Sequence, residues 1–123
     1  MIKVLIVEDD SNQHPFLEKA FADSRIEAEL SFAEDAAGVF KILGIQEFDL
    51  IIMDLILPDM NGGEIVKKLQ SDPKTAAARI VFLSGALTAA GEDGEKINVS
   101  GRWYASYAKP LTPEKVNILF QET

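Results

Sequence analysis

Three short apolar runs organise the chain: Ile2-Lys3-Val4-Leu5-Ile6-Val7, Leu50-Ile51-Ile52-Met53 and Ile80-Val81-Phe82-Leu83. Each is mostly β-branched or Leu and stops abruptly at polar residues, the pattern of strands buried on both faces of a parallel sheet. Glu27 to Phe32 alternates polar and apolar instead, which predicts a half-exposed edge strand. Tyr104 to Ala108 is a weaker fifth strand of mixed polarity, placed at the other edge. Helical spacings fall between the strands. Phe16, Leu17, Ala20 and Phe21 share one face, with Ser11 or His14 as cap ahead of Pro15. Ala36, Val39, Phe40 and Leu43 form a second face closed by Gly44, and Ile65, Val66 and Leu69 a third. Thr112-Pro113-Glu114 opens the last helix, whose apolar face is Val116, Leu119 and Phe120. Leu87 to Val99 holds Gly91, Gly94 and three acids, and reads as a short or frayed helix. Strand and helix thus alternate along the whole chain. That predicts an α/β fold, a doubly wound five-stranded parallel sheet in the order 2-1-3-4-5, as one domain over residues 1–123.

Composition narrows the function. Twelve basic against twenty acidic residues give a net charge of -8, a surface that repels phosphate backbones and anionic lipid, so neither direct nucleic-acid nor membrane binding is expected. The absence of cysteine excludes disulfide scaffolds, zinc fingers and thiol catalysis. No apolar run approaches the ~20 residues of a membrane helix. The first strand begins at the second residue, where a signal peptide would need its own segments, so a cytoplasmic protein is expected.

Ligands of doubly wound sheets bind beyond the carboxyl ends of the strands. Those ends carry Glu8-Asp9-Asp10, Asp54, Ser84-Gly85 and Lys109-Pro110. Taken singly, each is ordinary turn or loop chemistry. Asp54 is less easily explained that way, because it follows four apolar residues on a central strand, where an unpaired charge is costly. Together the four ends would bring carboxylates, a hydroxyl and an amine into one crevice. Clustered carboxylates repel, and a cation relieves them; an all-oxygen donor set suits Mg²⁺ or Mn²⁺. Such an ion plus an ammonium can clamp a phosphoryl group, with Asp54 as nucleophile.

In these residues the chain resembles the receiver domain of the two-component response regulator family, over nearly its whole length. The matching segments are Val4 to Asp10, Met53-Asp54-Leu55-Ile56-Leu57-Pro58-Asp59-Met60-Asn61-Gly62, Leu83-Ser84-Gly85-Ala86 and Ala108-Lys109-Pro110. The resemblance implies a flavodoxin-like receiver fold and a signalling role without enzymatic activity on other substrates. It implies that Asp54 accepts a phosphoryl group from a histidine kinase or histidine phosphotransfer protein, and that the domain then switches a partner or linked domain that the sequence does not identify. Asp9 would bind Mg²⁺ directly and Glu8 through water, with Asp54 and the Ile56 carbonyl as further ligands. Ser84 would be the switch hydroxyl, and Lys109, ahead of a cis Pro110, the phosphoryl-binding ammonium. Ile56 and Ala86 fall where the family tunes dephosphorylation.

Two features depart from the family pattern. Ser106 stands three positions before the lysine, where an aromatic switch residue is usual, and Tyr107 is offset to the other strand face. The Ser84-to-Lys109 stretch is also long for a receiver. Two alternatives remain: a pseudo-receiver that binds without taking phosphate, and a Mg²⁺-dependent phosphatase or phosphotransferase with an aspartyl intermediate. Against the second, the position two after Asp54, an aspartate in phosphatases of the haloacid dehalogenase type, is Ile56. His14 reads as a surface or cap residue, Trp103 and Tyr104 as packing, and Lys67-Lys68 as a solvated helix face.

Overall fold

The computed structural model describes residues 1–85 and 95–121. Six strands form a single sheet: β1 (Ile2–Val7), β2 (Ala28–Ala33), β3 (Leu50–Asp54), β4 (Arg79–Ser84), β5 (Glu95–Val99) and β6 (Arg102–Ala108). Four helices accompany them: α1 (His14–Ala22), α2 (Ala36–Leu43), α3 (Gly62–Gln70) and α4 (Pro113–Gln121). The spatial order is β2-β1-β3-β4-β6-β5. The first five strands in that row are parallel, and β5 runs antiparallel to β6.

The continuous apolar runs are explained by the layers. On β1, Val4 and Ile6 face one core while Leu5 and Val7 face the other. Leu17, Ala20 and Phe21 of α1 and Val116 and Leu119 of α4 close the first core. Val39 of α2 and Ile65, Val66 and Leu69 of α3 close the second. A central strand must therefore be apolar at every position, and β3 is buried throughout. Two aromatic residues assigned to helix faces lie outside the cores. Phe16 is 68% exposed at the margin of the Leu17-Ala20-Phe21 stripe, and Phe40 is 38% exposed beside Val39. The first helix is entered through a 3-10 turn, Ser11–Gln13, capped by Asp10, whose side chain accepts from the Asn12 N–H; neither Ser11 nor His14 caps α1. Thr112 does cap α4, its Oγ1 accepting from Lys115 N–H at 3.2 Å.

The sequence expectation for Leu87 to Val99 fails over its described part, residues 95–99. Residues 95–99 are not the end of a frayed helix but the strand β5, while residues 86–94 lie outside the described region. The sheet accordingly has six strands, and β6, expected at an edge, is interior. Ile97 and Val99, two apart, pack on the α2–α3 core, whereas Lys96 and Asn98 are exposed. That is strand periodicity, which acids and glycines upstream obscure. Ser100 and Gly101 turn the chain with φ of 50° and 90°. Positive φ at both central residues is the backbone of a tight hairpin turn matched to strand twist.

Candidate functional site

The strand ends converge as predicted. Glu8 follows β1, Asp54 ends β3, Ser84 ends β4 and Lys109 follows β6. Glu8, Asp54 and Ser84 are buried, at 4%, 6% and 1% exposure, whereas Asp9 is open to solvent. Lys109 Nζ donates to Glu8 Oε1 and to Asp54 Oδ2, each at 2.8 Å. Its backbone N–H donates to the Ser84 carbonyl at 3.1 Å, so the ends of β4 and β6 are tied beside the carboxylates. The Lys109–Pro110 peptide is cis. Burial pushes the Glu8 carboxyl above the usual carboxylate range, against the pull of Lys109. For Lys109, burial works against the charge, but the hydrogen bonds and charges of Asp54 and Glu8 outweigh it and hold the ammonium above its ordinary pKa.

One ammonium does not balance three carboxylates. Oxygens of Glu8, Asp9 and Asp54 lie within 4.8 Å of one another. The donors are all oxygen, and one of the three acids is open to solvent, a set that fits a hard divalent cation keeping some of its water. Asp10 takes no place in this cluster; it caps the turn after β1. Ile56, two residues beyond Asp54, is 67% exposed, and its N–H donates to Asp54 Oδ1 at 3.1 Å. Ala86 lies outside the described residues.

The loop after Asp54 is held by residues to which the sequence assigned no role. Gly62 N–H donates to the Leu55 carbonyl at 2.8 Å, and Asn61 Oδ1 caps α3 through Gly63 N–H at 2.7 Å. Asp59 reaches across to α2, accepting from the N–H groups of Ala36 at 2.9 Å and Ala37 at 3.3 Å. Those donors hold the Asp59 carboxyl below the usual range. A proline followed by an acid, then Asn-Gly before an apolar helix, is the turn-and-cap signal that could have located this strap. His14, assigned to the surface or a helix cap, is half-buried: its Nε2 lies 3.1 Å from the Glu8 carbonyl oxygen.

This geometry coincides with a family match: the response regulator receiver domain profile fits residues 4–104. The chain belongs to the response regulator receiver domain family. Receiver domains of this family are signalling domains of two-component systems. Among curated proteins, the receiver domain here is similar to response regulator ArlR of Staphylococcus haemolyticus (strain JCSC1435), 37% identical over 75 residues, covering 61% of this chain and 33% of that protein. It thus spans about a third of the length of that relative. Among solved structures it is similar to the phosphorylated cyanobacterial phytochrome response regulator RcpA, with TM-score 0.62 and 27% identity, over 68% of this chain and 65% of that one. The receiver domain of sensor histidine kinase PA1611 from Pseudomonas aeruginosa PAO1, solved with a magnesium ion in its active site cleft, shares the fold. There the TM-score is 0.79 at 16% identity, over 98% of this chain and 95% of the other. Among the described residues, no helix is long and apolar enough to cross a membrane.

Proposed function

We propose that residues 1–123 form one receiver domain in which Asp54 accepts a phosphoryl group from the phosphohistidine of a histidine kinase or phosphotransfer protein. The observation that carries this is the pairing of Lys109 Nζ with both Asp54 and Glu8 at 2.8 Å, at the end of a fully buried strand. Asp54 is buried yet keeps one carboxylate oxygen on the Ile56 N–H and the other on Lys109, so its rotamer is set for attack. An Asp54 oxygen attacks phosphorus in line, the phosphorus–nitrogen bond to the donor imidazole breaks, and that imidazole leaves with its electron pair. Lys109 then holds a phosphoryl oxygen, and Ser84, at the adjacent strand end, turns its hydroxyl to another. Glu8, Asp9, Asp54 and the Ile56 carbonyl would hold Mg²⁺ or Mn²⁺, which supplies neutralising charge to the phosphoryl oxygens. The domain acts on no further substrate; it controls a partner protein or linked domain in the cytoplasm.

Incubation with Mg²⁺ and acetyl phosphate, followed by intact mass, separates the readings. A phosphoacceptor gains one HPO₃ unit, a pseudo-receiver gains nothing, and a phosphotransferase passes phosphate on to an added substrate.

A further inference from the structure

His14 makes two contacts that phosphoryl transfer does not use. Its Nε2 lies 3.1 Å from the backbone carbonyl oxygen of Glu8. Its ring stacks on Phe32 of β2, with centroids 4.2 Å apart and planes 18° from parallel. A carbonyl oxygen only accepts, so Nε2 carries the proton and donates. On the other side of the same residue, Glu8 N–H donates to the Ala33 carbonyl at 2.9 Å. The peptide groups before and after the Glu8 side chain are thus both anchored, one by the end of β2 and the other by the first residue of α1.

Peptide planarity gives this anchor its consequence. The Glu8 carbonyl and the Asp9 N–H share one rigid unit, so fixing the first fixes where the Asp9 Cα stands. Asp9 is exposed and sits where the chain leaves β1, yet its carboxylate must meet those of Glu8 and Asp54 within 4.8 Å. The Phe32 stack holds the imidazole from the β2 side, and Phe32 is in register with Ile6 of β1, which fixes the ring relative to the strand carrying Glu8.

We infer that His14 is a positioning residue for the acid pair: its Nε2–H, bonded to the Glu8 carbonyl, sets the plane of the Glu8–Asp9 peptide and so aims the Asp9 carboxylate into the cation site. His14 itself touches no reacting atom. The inference rests on the proposed function for the identity of the cation. Partners that orient a metal ligand typically change metal affinity by about 10–100-fold when removed. His14 acts through the backbone of its ligand, so about three- to tenfold is expected.

Two variants divide the hydrogen bond from the packing. His14→Phe keeps a ring to stack on Phe32 and removes the donor; His14→Gln keeps an amide N–H at a similar reach and removes the stack. Mg²⁺ titration by calorimetry on the unphosphorylated chain should show binding about three- to tenfold weaker for His14→Phe, with most of the affinity retained by His14→Gln. Wild-type affinity in His14→Phe, or equal weakening in both variants, overturns the inference. The wild type gives a reading that needs no variant. Nitrogen-15 spectra of its imidazole at a pH where the ring is neutral should show the Nε2–H tautomer, and an Nδ1–H tautomer is the contrary result. None of these readouts involves phosphate. A chain that binds Mg²⁺ in this His14-dependent way but takes nothing from acetyl phosphate overturns the proposed function and keeps the inference. A phosphorylated chain indifferent to His14→Phe does the reverse.

Discussion

Gly62 lies directly against Asp54: a methyl group on residue 62 would stand 2.3 Å from the Asp54 carbonyl oxygen and 3.1 Å from the Cα of Leu55. Those are backbone atoms, so no side-chain rotation relieves the clash. The start of α3 and the end of β3 can approach this closely only because residue 62 has no side chain. Gly62→Ala should cost about 1–3 kcal/mol of stability, the usual range for overpacking a tight site. Urea denaturation reads it. An alanine variant as stable as the wild type would show that the loop yields freely.

Lys109 pairs with two buried carboxylates at once. Its side chain keeps 31% exposure, so solvent screens the pairs and the full cost of an uncompensated buried charge does not apply. Lys109→Met should destabilise the metal-free protein by about 1–3 kcal/mol. Mg²⁺ should then stabilise the variant more than the wild type, because the cation replaces the missing charge. Equal Mg²⁺-induced stabilisation of both proteins, by thermal denaturation, is the outcome that contradicts this.

The aspartyl phosphate should be long-lived. Hydrolysis needs a water held in line with the Asp54–phosphorus bond, and Ile56, exposed at the rim of the site, offers that water bulk and no hydrogen bond. Ile56→Asn combined with Ala86→Glu should hasten phosphate loss by about tenfold or more, a part of what a positioned polar group contributes in catalysis. Phosphate retention over time after donor removal is the measurement. A wild type that loses phosphate as quickly as the double variant contradicts it.

Activation should not run through a tyrosine flip. Tyr107 is packed in the α1–α4 core at 2% exposure, and Ser106 occupies the position on the other face. The pairing of Glu95 with Ser106 and of Ser84 with Ala108 instead connects Ser84, the proposed switch residue, to β5 through β6. A beryllofluoride adduct should therefore change amide exchange across Glu95–Val99. Reorientation of Tyr107 with β5 exchange unchanged would count against that route.

Most of the site was legible because burial leaves few options. From Val4 on β1, Leu50 on β3 and Ile80 on β4, no polar position occurs until the crevice, so Glu8, Asp54 and Ser84 stand out from apolar surroundings. β5 was not legible, because only Ile97 and Val99 mark its buried face and the upstream acids and glycines suggest a frayed helix. The Ser100-Gly101 pair was the available hairpin signal. His14 and Asp59 were missed for another reason. Each acts on backbone groups of another element, the Glu8 carbonyl after β1 and the N–H groups of α2, and neither contact follows a helical or strand spacing.

The site's assignment is tested most directly by treating wild type and Asp54→Asn in parallel with Mg²⁺ and acetyl phosphate and weighing both intact. Asparagine keeps the size of the side chain and can still accept from Ile56 N–H, but it cannot form the acyl phosphate. The wild type should gain one HPO₃ unit, lose that gain when Mg²⁺ is chelated before the donor is added, and the variant should gain none. Full labelling of Asp54→Asn, or labelling of the wild type that ignores Mg²⁺, would place the chemistry elsewhere.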